Sequence, residues 1–140
     1  RFGARTRMSD FLDTNVVVYA FDTADPEKQR VAIDVLESGR RLVVSTQVLL
    51  EAWWVLTRRL GRPLSEDAAS EVIDELRRLP VVGTDADLVR RAITTSRRCQ
   101  LAVWDALIVE AARSSGCDRI LTEDLQAGRD FDGVTVVYPF

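Results

Sequence analysis

Short apolar runs of strand length alternate along this chain with stretches whose apolar residues recur at helical spacing. The first run, Phe11-Leu12, stops at Asp13 and is followed by Thr14-Asn15 and the apolar segment Val16 to Phe21. It predicts a buried strand ending at Asp13 and turning into a helix. Asp25-Pro26-Glu27 reads as an N-cap with proline at the first helical position, and Val31, Ala32, Val35 and Leu36 share one side of a helix ending near Gly39. Leu42-Val43-Val44 predicts the second strand. Ser45 or Thr46 then caps a long helix to about Leu60, apolar nearly all round except at Glu51 and broken by Gly61-Arg62-Pro63. Ser65 opens a helix with the stripe Ala68, Ala69, Val72, Ile73, Leu76 and Leu79. Pro80 to Gly83 predicts the third strand, and Thr84-Asp85-Ala86-Asp87 a capping box for a helix through about Cys99. A further helix from Val103 to about Ser115 is closed by Gly116. Arg119-Ile120-Leu121 is the fourth strand, leading into Thr122-Glu123-Asp124, and Gly133 to Val137 is the fifth. Strand and helix alternating without linker or repeat predict an α/β fold with a largely parallel sheet covered on both faces.

The 140 residues suit one domain, read here as 8–140. Met8 is the only methionine and MSDFLDTN reads as a natural beginning, so residues 1–7 are expected to be an upstream addition or a disordered N-terminus. The longest apolar run, Val16 to Phe21, is far short of the ~20 residues that span a bilayer. The basic start runs into Asp10 and Asp13 rather than an apolar region, so no signal peptide is expected. The expectation is a cytoplasmic protein without membrane contact. Cys99 and Cys117 stand far apart in no metal-binding spacing and are expected as free thiols. The absence of histidine removes Ser-His-Asp triads, histidine bases and histidine metal ligands together. Lys28, the single lysine, is expected on an exposed helix. A net charge of −3 excludes non-specific coating of nucleic acid.

Four acids stand out by position. Asp13 lies at the carboxyl end of a strand, where open α/β sheets gather their chemistry, although an N-cap would explain it equally well alone. Glu51 sits between Leu50 and Ala52, with Val48, Trp54 and Val55 one turn away, and is expected to be desolvated and in need of a cation, either a metal ion or an arginine. Asp105 lies in LAVWDALIVEAA, an apolar run that does not invite aspartate, unless it caps a helix starting late at Ala106. Asp124 follows the fourth strand as Asp13 follows the first; a turn or cap is the plain alternative. If those strands are neighbours, the two carboxylates lie side by side and repel unless a cation separates them. Oxygen donors without histidine or paired cysteine suit Mg²⁺ or Mn²⁺. Two such ions about 4 Å apart can stabilise a phosphodiester displacement.

These motifs resemble those of PIN-domain ribonucleases, specifically the VapC-type toxins of bacterial toxin–antitoxin pairs. FLDTNVVVYAFD is similar to their opening motif, with Asp13; VLLEAWWVL to the segment carrying their glutamate, here Glu51; WDALIVEAA to their third motif, with Asp105; and ILTEDLQAGRDFDGVTVVYPF to their closing stretch, with Asp124. The likeness covers Met8 to Phe140, with Tyr138 where asparagine is more usual. It implies a PIN-like three-layer α/β/α architecture with a five-stranded, mainly parallel sheet of order 3-2-1-4-5. It also implies Mg²⁺-dependent RNA cleavage by a metal-activated water, with Mn²⁺ able to substitute, and Asp13, Glu51, Asp105 and Asp124 as both catalytic and metal-binding residues. Asn15 and Thr122 match polar positions beside the acids and take supporting roles, with backbone capping as the alternative. A small VapB-like antitoxin and a second copy of the chain are the implied partners.

Of the arginine pairs 40-41, 58-59, 77-78, 90-91 and 97-98, some are expected on the RNA path and most on solvated faces. Trp53 and Trp54 point about 100° apart on one helix, so one is expected in the core and the other at an interface. Two rivals remain. A haloacid-dehalogenase-type phosphatase would need a second aspartate where Asn15 stands and a downstream lysine, and a receiver domain a downstream lysine, for which Lys28 is the single candidate. A catalytically silent PIN-like module would bind RNA or a partner without cutting.

Overall fold

The computed structural model describes residues 8–140. The expectation for residues 1–7 lies outside the described residues. In chain order the elements are β1 (Ser9–Leu12), α1 (Thr14–Tyr19), α2 (Pro26–Leu36), β2 (Arg41–Ser45), α3 (Thr46–Arg58), α4 (Glu66–Leu76), β3 (Val81–Val82), α5 (Ala86–Cys99), α6 (Val103–Ser114), β4 (Arg119–Leu121), β5 (Asp130–Phe131) and β6 (Val134–Val137).

Local capping chemistry sets where the helices begin. Asp25 accepts from the Lys28 amide, Ser45 from Val48, Ser65 from Ala68 and Asp85 from Leu88, each satisfying an amide that the first helical turn leaves unpaired. α5 ends on Gln100 in the left-handed region, φ 55°. The sheet runs β3-β2-β1-β4-β6-β5. Every neighbouring pair is parallel except β5–β6. β1 is buried at all four residues and β2 at four of five, which requires cover on both faces. Phe11, Leu12, Val43, Val44, Ile120 and Val136 are among the side chains closed off in the core.

The expected order 3-2-1-4-5 holds for the five strands read from the sequence, with residues 134–137 in the fifth place. One strand was missed. Asp130-Phe131 pairs antiparallel with β6 through the two-residue turn Asp132-Gly133, both at positive φ (52° and 99°). That is the type I′ geometry whose right-handed twist suits a hairpin, and Asp-Gly is its usual sequence. A methyl group on Gly133 would meet nothing within 4 Å, so its requirement is conformational. Gly133→Ala is expected to cost roughly 1 kcal/mol, read as a lower urea midpoint at unchanged slope.

α3, apolar nearly all round in sequence, is buried on one side only: Val48, Ala52 and Leu56 are closed off, whereas Leu50 is 72% and Trp54 50% exposed. Trp53 packs against the core and donates its indole N–H to Ser70 Oγ at 3.3 Å, while Trp54 faces outward. Cys99 and Cys117 are free thiols, as expected. Among the described residues no helix is long and apolar enough to cross a membrane.

Candidate active site

β1 and β4 are parallel neighbours, with Leu12 beside Leu121, and the Asp13 amide donates to Leu121 O at 3.1 Å. The carboxyl ends of the two strands therefore meet, and the residues that follow each one share a site. Asp13 is buried, and as the N-cap of α1 its Oδ1 accepts from the Thr14 amide at 2.7 Å. The capping reading is thus correct for one oxygen. The other, Oδ2, accepts from Thr122 Oγ1 at 2.8 Å.

Thr122, fully buried, also accepts from the Asp124 amide at 3.0 Å. Asn15 Nδ2 donates to Asp124 Oδ2 at 3.0 Å, and Asn15 Oδ1 accepts from the Glu123 amide at 3.3 Å. Asn15 and Thr122 thus each grip both backbone and carboxylate across the two strand ends, combining the two readings that the sequence left open.

Glu51 reaches the same region from α3 but is exposed, not desolvated. Its apolar neighbours do not enclose it, because two of them, Leu50 and Trp54, are exposed themselves. Glu51 Oε2 accepts from Thr14 Oγ1 at 2.9 Å and Oε1 from Gln47 Nε2 at 3.0 Å. Asp105 is not a late cap. α6 starts at Val103, so Asp105 sits in its first turn, where the helix dipole favours a carboxylate. Gln47 Nε2 also approaches Trp104 O at 3.4 Å, which ties this turn of α6 to α3.

The acids act on one another. Burial, with smaller contributions from the charges of Asp124 and Glu51, pushes the Asp13 carboxyl up to about 6 against the hydrogen bonds from Thr122 and Thr14. Burial and the same two charges raise Asp105. Among the described residues none of the four forms a salt bridge with an arginine or lysine. Asp10, on β1 three residues before Asp13, is the opposite case. It is buried yet gripped by Arg40 (2.6 and 2.6 Å) and Arg119 (2.8 and 2.8 Å).

All-oxygen donors with uncompensated mutual repulsion are the chemistry that Mg²⁺ or Mn²⁺ requires, and each hydrogen-bonded carboxylate oxygen retains a lone pair. The donor set fits such an ion. Spacing is looser than the chemistry: among the described residues, no three of these side chains form a ready-made metal cluster. Glu51 and Asp124 line a cleft of about 360 Å³ with Thr14, Asn15 and Tyr19, and both are exposed enough to change rotamer.

Sequence reasoning missed several residues of this site. Thr14 holds Glu51, and Gln47, one turn before Glu51 at i,i+4 spacing, was the legible signal for the second hold. Lys28 was expected in solvent but is half-buried against Glu123 and Tyr19. Among the arginine pairs, Arg40 serves Asp10, Arg77 and Arg78 pair with Asp74 and Glu75 on the surface, Arg98 reaches Asp132, and Arg58 lies over Trp54. Arg59 is the one that lines the acidic cleft.

The family model for the PIN domain matches residues 11–131. Among curated protein sequences no match was found. Among solved structures, the fold is similar to VapC20 of Mycobacterium tuberculosis, described as a toxin cleaving the sarcin-ricin loop (TM-score 0.67, 23% identity, 82% of this chain and 89% of that one). It is also similar to a chain of a toxin–antitoxin complex from Klebsiella pneumoniae (TM-score 0.71, 17% identity, 94% and 98% covered). A third likeness is to a chain of DNA-bound VapBC from Salmonella typhimurium (TM-score 0.62, 18% identity, 92% and 96% covered). At these identities the likeness is one of fold.

Proposed function

Because the chain belongs to the PIN domain family, we propose that it is a Mg²⁺-dependent endoribonuclease and the toxin of a toxin–antitoxin pair, with Asp13, Glu51, Asp105 and Asp124 as its catalytic and metal-binding residues. The observation that carries this reading is the charge contrast within β1 and its continuation. Asp10 has two guanidinium partners; Asp13 and the three acids around it form no salt bridge among the described residues, although Arg59 lines the cleft beside Glu51 and Asp124. A fold that pairs one buried aspartate so completely leaves the other for a partner that is not part of the chain.

When bound, Mg²⁺ or Mn²⁺ would supply positive charge to the phosphate under attack and acidify a nearby water. The chain's residues do the rest. Thr122 and the Thr14 amide fix the two oxygens of buried Asp13, while Thr14 Oγ1 and Gln47 steady Glu51 and Asn15 steadies Asp124, whose exposed side chains can still adjust. Asp105 is raised by burial and by its neighbours, with no hydrogen bond contributing, and is free to turn toward a water and take its proton. No covalent intermediate on the protein is required. The phosphotransferase rival loses its lysine, since Lys28 is engaged by Glu123 rather than by Asp13.

The similar Klebsiella chain belongs to a toxin–antitoxin complex and the Salmonella chain to DNA-bound VapBC, which supports a small antitoxin as partner. Exposed Leu50 and Trp54 on α3 are suited to an interface, with that antitoxin or with a second copy. The deciding assay is degradation of total RNA by the purified chain. Cleavage is expected with Mg²⁺ or Mn²⁺ and not with EDTA. Asp124→Asn, at an exposed position, is expected to lower the rate at least about 100-fold. RNA binding without cleavage would favour the silent module instead, and cleavage that survives the substitution would point to a contaminating nuclease.

A further inference from the structure

We propose that Lys28 and Glu123 form a clamp that positions the Asp124 loop for cation binding, which makes both positioning residues; the inference rests on the nuclease reading above. Glu123 lies directly between Thr122 and Asp124, and both of its carboxylate oxygens are taken. Oε1 accepts from Tyr19 OH at 2.8 Å and Oε2 from Lys28 Nζ at 3.0 Å. Lys28 Nζ also donates to Tyr19 OH at 3.3 Å and lies 4.8 Å from the centre of the Tyr19 ring and 5.5 Å from that of Phe140. Tyr19 and Phe140 meet edge-on at 5.0 Å. α1, α2, the loop after β4 and the segment after β6 therefore converge on one half-buried ion pair.

The consequence for the site is geometric. Asn15 and Thr122 hold the inner side of the loop, through the Glu123 and Asp124 amides and the Asp124 carboxylate. Without the clamp those contacts alone fix a short segment whose Asp124 is exposed, next to a Glu123 carboxylate free to swing. With it, the loop is held from both sides, and Glu123 is kept from competing with Asp124 for a cation. Groups that orient metal-binding side chains in this way typically govern affinity and rate by 10- to 100-fold.

Removing Lys28 alone would leave an extra negative charge beside the site and attract cations for the wrong reason. The test is therefore the charge-balanced double variant Lys28→Met/Glu123→Gln, with Lys28→Arg as the conservative replacement and Glu123→Asp as a second, milder disruption too short to reach both partners. Mn²⁺ binding to the protein without RNA is measured by calorimetry, amide exchange at residues 122–125 by hydrogen–deuterium exchange, and cleavage by its KM and kcat. The double variant and Glu123→Asp are expected to bind Mn²⁺ roughly 10-fold more weakly, to exchange faster at Glu123 and Asp124, and to lose kcat with little change in KM. Lys28→Arg is expected to stay within about 2-fold of the wild type, since guanidinium keeps the charged hydrogen bond. Wild-type Mn²⁺ affinity and exchange in Glu123→Asp, or in a folded double variant, would overturn the clamp and leave the nuclease reading standing. A wild-type chain that binds no Mn²⁺ would overturn both.

Discussion

Asp13→Asn is expected to abolish cleavage and, without divalent cation, to raise the melting temperature at pH 8. The buried Asp13 carboxyl titrates at about 6 rather than near 3.8, first because burial disfavours its charge and then because Asp124 and Glu51 repel it. The native state therefore holds the proton more tightly than the unfolded chain does. Its contribution to stability is full below pH 3.8 and falls as pH climbs through about 6. Roughly two units correspond to roughly 3 kcal/mol of strain in the ionised state. Asparagine keeps the acceptor for the Thr14 amide and removes the charge, at some loss in the contact with Thr122. A net gain of roughly 1–3 kcal/mol, or several degrees, is expected above pH 6, vanishing below about pH 4. Added Mg²⁺ should then stabilise the wild type and not the variant. Cleavage should fall at least about 100-fold. Melting curves from pH 4 to 8 with and without Mg²⁺ decide it, and a variant less stable than the wild type at pH 8 would refute this account of Asp13.

Asp10→Ala has the opposite sign. Burial would raise the Asp10 carboxyl, but Arg119 and Arg40 outweigh it and hold the group below its ordinary value. Its contribution is therefore present above about pH 4 and disappears as pH falls through the lowered native pKa. Removing the carboxylate leaves two guanidinium groups facing each other at the edge of the core. Because they are 26% and 35% exposed, water recovers part of the loss. The cost is expected at the low end for a broken buried pair, about 3 kcal/mol, seen as a lower denaturation midpoint at pH 7. Mn²⁺ binding by the folded fraction should not change. The two variants, three positions apart, should move stability in opposite directions, which no common effect of expression or handling would produce.

Much of this protein can be read along the chain, because the relevant physics is local. Asp25, Ser45, Ser65 and Asp85 cap helices with their own side chains three residues ahead. The alternation of strand and helix predicts a parallel sheet, but it leaves the strand order open; that β1 lies beside β4, where Asp13 and Asp124 come together, was implied by the resemblance to PIN domains and is seen in the fold. The Asp-Gly turn before β6 is a local signal too, but the two-residue strand β5 that it joins leaves almost no periodic pattern in the sequence.

Burial and charge pairing were not legible, because they depend on partners far away in sequence. In SDFLD the two aspartates look alike. Arg40, 30 positions from Asp10, and Arg119, 109 positions away, neutralise the first; Thr122, 109 positions from Asp13, only hydrogen-bonds the second. Glu51 looked desolvated because its neighbours in sequence are apolar, yet Leu50 and Trp54 are exposed themselves and the carboxylate faces water. Lys28 looked idle until Glu123 came to meet it from 95 residues away. Composition and spacing alone determined which acids the chain carries to its strand ends and helix faces. Only the packed structure decided which of them it neutralises, since that depends on where guanidinium and ammonium groups arrive once the sheet has closed.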